Sequence, residues 1–205
     1  MTQQAWVLGG GGHAKVVIST LQASGWDVVG CFDDVASKKG SLLLGVPILG
    51  RIQDLSSLPG PAVIGIGSNM IRRYLNDRFP DADWLSPIHP TAWVHESVRL
   101  GRGTVIFAGA IVQADSIIGV HGILNTGCGV DHDCQLGEFV HVCPGVHLSG
   151  GVILEDNVMI GVGGAVTPGC RIGNGAIIGA GATVISDIQP GVKAVGTPAI
   201  PMGHS

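Results

Sequence analysis

The stretch Val130-Asp-His-Asp-Cys-Gln-Leu136-Gly-Glu-Phe-Val-His-Val142-Cys-Pro-Gly-Val-His-Leu148 carries an aliphatic residue at every sixth position, and the register extends in both directions. Steps of six run from Ile88 through Val94, Leu100, Ile106, Val112, Ile118 and Leu124 to this stretch, and on through Leu154, Ile160, Val166, Ile172 and Ile178 to Val184. Four residues after the aliphatic stands a small or β-branched residue, as at Ala92, Thr104, Ala110, Ser116, Cys128, Cys134, Val140, Val158, Ala176 and Ala182. Glycine often follows the aliphatic directly, as at Gly101, Gly119, Gly137, Gly161, Gly173 and Gly179. A period of six matches neither a helix nor a strand alternation, so the chain must turn a corner every six residues.

Three short strands and three corners close one coil, and the expected fold of residues 88–189 is an all-β, left-handed parallel β-helix of five to six coils built from hexapeptide repeats. The aliphatic points inward, the small residue fits the tapering corner, and the glycine after the aliphatic is expected to relieve strain in the turning backbone. Pro190 breaks the repeat. The remaining 190–205 is read as a cap and tail in which Gly196-Thr-Pro-Ala199 closes the open end of the core.

Before the repeat, residues 1–87 read as an α/β, Rossmann-like βαβ domain. A strand over Ala5–Leu8 runs into Gly9-Gly-Gly-Gly-His-Ala-Lys15 and a helical segment through Val16 and Leu21; a second strand, Val28–Phe32, ends in Asp33-Asp34. Glycines let a backbone approach a phosphate, and a helix N-terminus offers free N–H groups. The Gly9-x-Gly11-x-x-Ala14 spacing fits a dinucleotide fingerprint, although a tight helix–strand packing turn has the same composition. A third strand is expected over Ala62–Ile66, followed by a helix capped by Ser68 that carries Arg72 and Arg73. Residues 40–58 read as loop and short helix. A domain of this size should hold one nucleotide rather than NAD.

The net charge of −4 makes no electrostatic case for nucleic acid or an anionic membrane. No apolar run approaches the roughly 20 residues of a membrane span, and Met1–Gln4 has no signal-like pattern, so a cytoplasmic protein is expected. There is no CxxC pair, which argues against a disulfide framework or zinc ribbon.

Residues 18 apart in the repeat should stack about 4.8 Å apart. His132 then lies between Ala114 and Gly150, a large side chain beside minimal ones, with Asp131 and Asp133 adjoining and Asn125 seven residues earlier. Near neutral pH an imidazole next to a carboxylate is a capable proton acceptor, which makes His132 the candidate general base. His89, His95, His121 and His204 read as solvated. A zinc site is the rival reading, since some left-handed β-helices bind zinc through three histidines as carbonic anhydrases, two of them five residues apart. The gaps here are 11, 9 and 6, among His121, His132, His141 and His147. No metal is expected.

Val7-Leu-Gly-Gly-Gly-Gly-His-Ala-Lys15, Phe32-Asp-Asp34, Ile66-Gly-Ser-Asn69 and Asn125-Thr-Gly-Cys-Gly-Val-Asp-His-Asp-Cys134 with Phe139-Val-His141 together make the chain similar to bacterial nucleotide-sugar N-acetyltransferases of the bacillosamine and perosamine type. Sialic acid O-acetyltransferases are more distant relatives. The resemblance implies acetyl transfer from acetyl-CoA to the 4-amino group of a UDP- or GDP-linked 4-amino-4,6-dideoxy sugar, in a homotrimer. It implies His132 as proton acceptor, tuned by Asp133 where bacillosamine-type members carry Glu, with Asn125 in the same catalytic group. His141, Gly150, Val162 and Ala180 would serve acetyl-CoA; this chain departs from the pattern at Ile200, where relatives often carry Lys or Arg, and Lys193 is expected to serve the CoA phosphates instead. Gly11, Gly12 and His13 would meet the diphosphate, Asp33 and Asp34 the base or ribose, and Gly67 the same ligand. Direct attack by the amine is expected, with a donor near Gly150 stabilising the oxyanion. Alternatives are O-acetylation of a sugar hydroxyl, with the same base, and a nucleotide-sugar binding module without catalysis.

Overall fold

The computed structural model describes residues 3–202; His204 and the end of the 190–205 tail lie outside them. The first domain is a five-stranded sheet of order β3-β4-β2-β1-β5, formed by β1 (Gln4–Leu8), β2 (Asp27–Phe32), β3 (Leu42–Leu43), β4 (Val46–Gly50) and β5 (Ala62–Ile64). All its pairings are parallel except β3 with β4. Helix α1 (Gly12–Ala23) buries Ala14, Val17, Ile18 and Leu21, the 3–4 spacing that turns one apolar face to a sheet. Helix α2 (Asn69–Arg78) starts at Ser68, whose hydroxyl accepts the Ile71 N–H at 3.4 Å.

The segment 40–58 differs from the expected loop and short helix: it forms the β3–β4 hairpin and a 3₁₀ turn, Ile52–Asp54. Val46 and Ile48 alternate with Pro47 and Leu49, and the first pair is buried. That is the period of a half-buried strand, short enough to be masked by the flanking glycines and prolines.

From residue 88 the chain winds into a left-handed parallel β-helix. Its three sheets hold six strands from Trp93–Val94 to Thr183–Val184 (sheet I), five from Arg99–Leu100 to Arg171–Ile172 (sheet II), and seven from Val105–Ile106 onward (sheet III). As far as Thr183–Val184 each strand pairs with the one 18 residues away, as Gly129 does with Ile111 and His147. The sixth-residue aliphatics fill the core, from Ile106 and Leu124 to Ile178 and Val184. Lys193–Val195 ends sheet III and is covered by the antiparallel Ile200–Pro201, while Ala199 packs on the core.

The corner glycines work differently from the expectation. The left-handed backbone falls three residues after the aliphatic, at Gly103, Gly109, Gly127 and Gly145, and also at Asp115, His121, Asp133, Phe139 and Asn157. The glycine directly after the aliphatic serves close approach instead: a Cβ on Gly119 would stand 2.6 Å from the Gly137 carbonyl carbon of the next coil.

The first domain docks on sheet III and on the corners leading into it. Val105, Phe107 and Ile123 share a core with α1. The fully buried Arg72 guanidinium donates to the carbonyls of His121 (3.1 Å), Phe139 (2.9 Å), Val140 (3.0 Å) and Gly67 (2.8 Å), and to Asn69 Oδ1. Arg73 reaches Asn157 and lies over the Phe139 ring at 4.4 Å. His121, read as solvated, is fully buried in this seam: it stacks on Phe139 with centroids 5.4 Å apart, and its Nε2 meets Asn76 Oδ1 at 3.0 Å. The hexad pattern shows only that its side chain leaves the coil, and the docked domain covers it.

Candidate active site

His132 and Asp133 form the corner between sheets I and II. Asp133 takes a left-handed φ of 60°, a conformation that costs Asp less than most residues because its short polar side chain bonds locally. That backbone bends the carboxylate back, and Oδ2 accepts a hydrogen bond from His132 Nδ1–H at 2.8 Å. Nδ1 therefore holds the proton of the neutral ring, and Nε2 is left with a free lone pair. The Asp133 hydrogen bond, and after it the charge of Asp131, raise the imidazole pKa above its usual value. The ring is exposed and lies against Gly150, where an added Cβ would come within 2.6 Å of Nε2. Among the described residues the Gly150 N–H has no hydrogen-bond partner. The gap over Gly150 therefore opens beside an imidazole nitrogen with a free lone pair.

A second constellation lies where the first domain meets sheet III. Gly9 has φ 123° and lies so close to the Gly65 carbonyl that a Cβ would stand 2.7 Å from its oxygen. Behind it, Asp33 Oδ2 accepts the Gly10 N–H at 2.7 Å and Lys38 Nζ at 3.0 Å, while Oδ1 accepts the Val35 N–H. These donors outweigh burial and hold the Asp33 carboxyl below its ordinary range. Asp34 Oδ1 accepts the Gln53 N–H. The turn is thus braced from behind, whereas a Cβ on Gly11 or Gly12 would meet nothing within 4 Å. Gly11 caps α1 without a side-chain bond, so the first N–H groups of the helix face open space.

His13 and His141 meet at that opening, with ring centroids 5.9 Å apart. His141 Nδ1–H donates to the Gly67 carbonyl at 3.2 Å, and its Nε2 accepts from Asn125 Nδ2 at 3.1 Å. Burial, and then the charge of Arg72, lower both imidazoles to about 4, so both are neutral near pH 7. His13 Nε2 is buried without a partner among the described residues.

Within one chain these two constellations are separated. Sheet III is bounded by the corners that lead in from sheet II and out to sheet I, so the His132 corner is the edge of the prism opposite the docked domain. Asn125, grouped with His132 by sequence proximity, sits with His141. Gly150 sits with His132, whereas Val162 and Ala180 are exposed on the corner after sheet III, one above the other, with the Gly181 N–H bonded to the Val162 carbonyl. Lys193 is exposed on sheet III. Arg72 was read from sequence only as a helix residue, since nothing local signals a partner 67 residues away.

All five cysteines are free and buried. Burial pushes the Cys128 thiol up to about 12 and raises Cys143 above its ordinary value, so neither is a thiolate near neutral pH. Among the described residues no three His, Cys, Asp or Glu side chains are grouped to hold a metal ion, and no helix is long and apolar enough to cross a membrane.

Comparison with known proteins bears on both halves. Residues 4–79 match the PglD N-terminal domain family. The whole fold is similar to PerB of Caulobacter crescentus, solved with CoA and GDP-perosamine: 40% identity over 98% of this chain and 97% of that one, with a TM-score of 0.90. The chain belongs to the nucleotide-sugar N-acetyltransferase family. Another similar structure is the acetyltransferase domain of PglB from Neisseria gonorrhoeae, solved also with acetyl coenzyme A, at 35% identity over 98% and 100% of the two chains and a TM-score of 0.92. WeeI of Acinetobacter baumannii shares 26% identity at a TM-score of 0.88, covering 98% and 100%. Protein L142 of Acanthamoeba polyphaga mimivirus is 33% identical over 115 residues, or 56% of this chain; the chain spans 23% of that relative's length. Relatives in this N-acetyltransferase family thus share both the glycine-rich turn domain and the solenoid.

Proposed function

We propose that the chain is an acetyl-CoA-dependent N-acetyltransferase acting on the 4-amino group of a GDP- or UDP-linked 4-amino-4,6-dideoxy sugar. The observation that carries this reading is the exposed His132 imidazole, oriented by Asp133 and facing the gap over Gly150. The open turn at Gly11, Gly12 and His13 suits a diphosphate, with N–H groups at a helix start and no side chain in the way. Asp33 supports that turn from behind, Asp34 lies beside it, and Gly67 borders the same opening. The free Gly150 N–H is suited to the thioester oxygen, and the Val162–Ala180 corner to the pantetheine arm.

The amine nitrogen attacks the acetyl carbonyl carbon and forms the N–C bond; charge collects on the oxygen, which the Gly150 N–H stabilises. His132 Nε2 accepts the proton released from nitrogen, and the C–S bond breaks. The proton then passes to the departing CoA thiolate, leaving an amide and free CoA. Because His132 and the nucleotide-binding turn lie on opposite edges of one solenoid, the site is built between copies, in a homotrimer. His141 and Asn125 of one chain then face ligand bound against His132 of the next.

Thiol release from acetyl-CoA, followed with GDP- and UDP-linked 4-amino-4,6-dideoxy sugars in parallel, tests the reading. Release with one of them identifies the nucleotide, and His132→Asn should abolish transfer while nucleotide-sugar affinity is kept. Transfer only to sugar hydroxyls, or transfer that survives His132→Asn, would overturn it.

A further inference from the structure

A path of hydrogen bonds runs from the buried Arg72 to the opening between the domains. The Gly67 carbonyl accepts Arg72 Nη1 at 2.8 Å and His141 Nδ1–H at 3.2 Å. His141 Nε2 then accepts from Asn125 Nδ2 at 3.1 Å, and Asn125 Oδ1 accepts the Thr126 N–H at 2.9 Å. Arg72, His141 and Asn125 are all buried, so solvent does not compete along the path.

Each proton on this path has one placement. A carbonyl only accepts, so the imidazole bonded to Gly67 carries its proton on Nδ1 and keeps a lone pair on Nε2. The Asn125 amide must then turn its nitrogen toward the ring, and the Thr126 N–H on Oδ1 holds it in the same sense from the other side. One Nδ2 proton of Asn125 is left without an acceptor among the described residues. The opposite tautomer would set donor against donor at Asn125 and take a bond away from the Gly67 oxygen.

Arg72 supplies the position of that oxygen. Gly67 lies in the link between β5 and α2, and Arg72 ties it to the carbonyls of His121, Phe139 and Val140 on the solenoid. Among the described residues no carboxylate pairs with the guanidinium. Burial lowers its pKa to about 9, so it is still charged at pH 7. A buried cation without a counter-ion is costly, and an apolar side chain would fill the seam at lower cost. What the guanidinium adds over such a residue is a fixed geometry between the two domains.

We propose that Arg72 is a positioning residue of the transfer site: through the Gly67 carbonyl it orders the His141 ring, and through that ring it presents Asn125 to the bound ligand as a hydrogen-bond donor. The inference rests on the acetyltransferase reading. It makes docking of the first domain a condition for an ordered site on the solenoid, since the Gly67 oxygen belongs to one domain and His141 and Asn125 to the other.

Histidine-selective ¹⁵N labelling of the full chain reads the His141 tautomer at pH 7, with the signal assigned by its loss in His141→Asn. The unaltered chain should show a neutral ring with its proton on Nδ1. Arg72→Lys keeps the charge but cannot reach Gly67 and the three solenoid carbonyls together, so the ring should pass into a mixture of tautomers. The same variant should lower kcat/KM about tenfold, the scale of one hydrogen bond to the ligand. In an Asn125→Ala background it should cause no further loss, a coupling that a general weakening of the fold would not produce. Additive losses, an unchanged kcat/KM in Arg72→Lys, or a ring in the unaltered chain that is charged or protonated on Nε2 would each overturn the proposal. The last of these needs no variant of Arg72 to fold. Failure of the unaltered chain to acetylate any amino sugar would remove the enzymatic reading, whereas the tautomer measurement still decides whether Arg72 orders the ring.

Discussion

Acidification from pH 7 to pH 5 is expected to destabilise the folded chain by about 5 kcal/mol, through His13, His121 and His141. Each is lowered to about 4, first by burial and then by the charge of Arg72. No carboxylate is hydrogen-bonded to any of the three among the described residues. Their folded pKa values lie below the unfolded value near 6.5, so the unfolded chain binds the extra protons. Stability is therefore complete above about pH 6.5 and is lost as pH falls toward 4. For one such histidine the loss between pH 7 and pH 5 is about 2 kcal/mol, and three together give roughly 5. The depressed carboxylates, Asp33, Asp54 and Glu155, begin to lose their contribution only at lower pH. Urea midpoints at half-unit steps across this range, converted to unfolding free energies, read the slope directly. His121→Phe keeps a ring to stack on Phe139 and removes one titrating group, so about a third of the slope should disappear. A stability flat between pH 7 and pH 5, or a slope unchanged in His121→Phe, would refute the reasoning.

Asp133→Asn should move the acid limb of the kcat/KM profile to lower pH, because the carboxylate that raises the His132 pKa is gone, and should lower the plateau; a limb that stays in place would separate Asp133 from His132. Gly150→Ala should leave the thermal midpoint nearly unchanged, since only the mobile imidazole must move, yet cut kcat about 10²-fold, the cost of displacing a catalytic group by about 1 Å; unchanged turnover measured by thiol release would contradict the gap. Arg72→Met removes the hydrogen-bond donor from the His121 and Phe139 carbonyls, about 1–3 kcal/mol each. Calorimetry should show the midpoint lowered by about 5–15 °C, and a shift under about 2 °C would mean that Arg72 does not hold the domains together.

The parts of the candidate site that the sequence made legible are those governed by the 18-residue coil. His132 against Gly150 follows from the spacing alone, because stacked positions in a parallel β-helix are fixed by backbone pairing. The glycine-rich turn and the Ser68 cap were equally readable, as both are local. Within one chain Asn125 stands with His141 and not with His132, because seven residues carry the chain around a corner, and nearness in sequence there is not nearness in space. His121 looked like a surface histidine for a related reason: the repeat tells which side chains leave the coil but not what covers them afterwards.

The sequence by itself thus determined the solenoid, the βαβ start and the chemistry expected at His132, since each depends on periodicity or on contacts within a few residues. Only the tertiary structure decided that the first domain sits on sheet III, held by a buried arginine bonded to carbonyls of two coils. It also decided that His132 lies on the opposite edge of the solenoid. Docking depends on shape and hydrogen-bond acceptors presented by residues far apart in the chain, and no short-range pattern encodes which sheet will be covered.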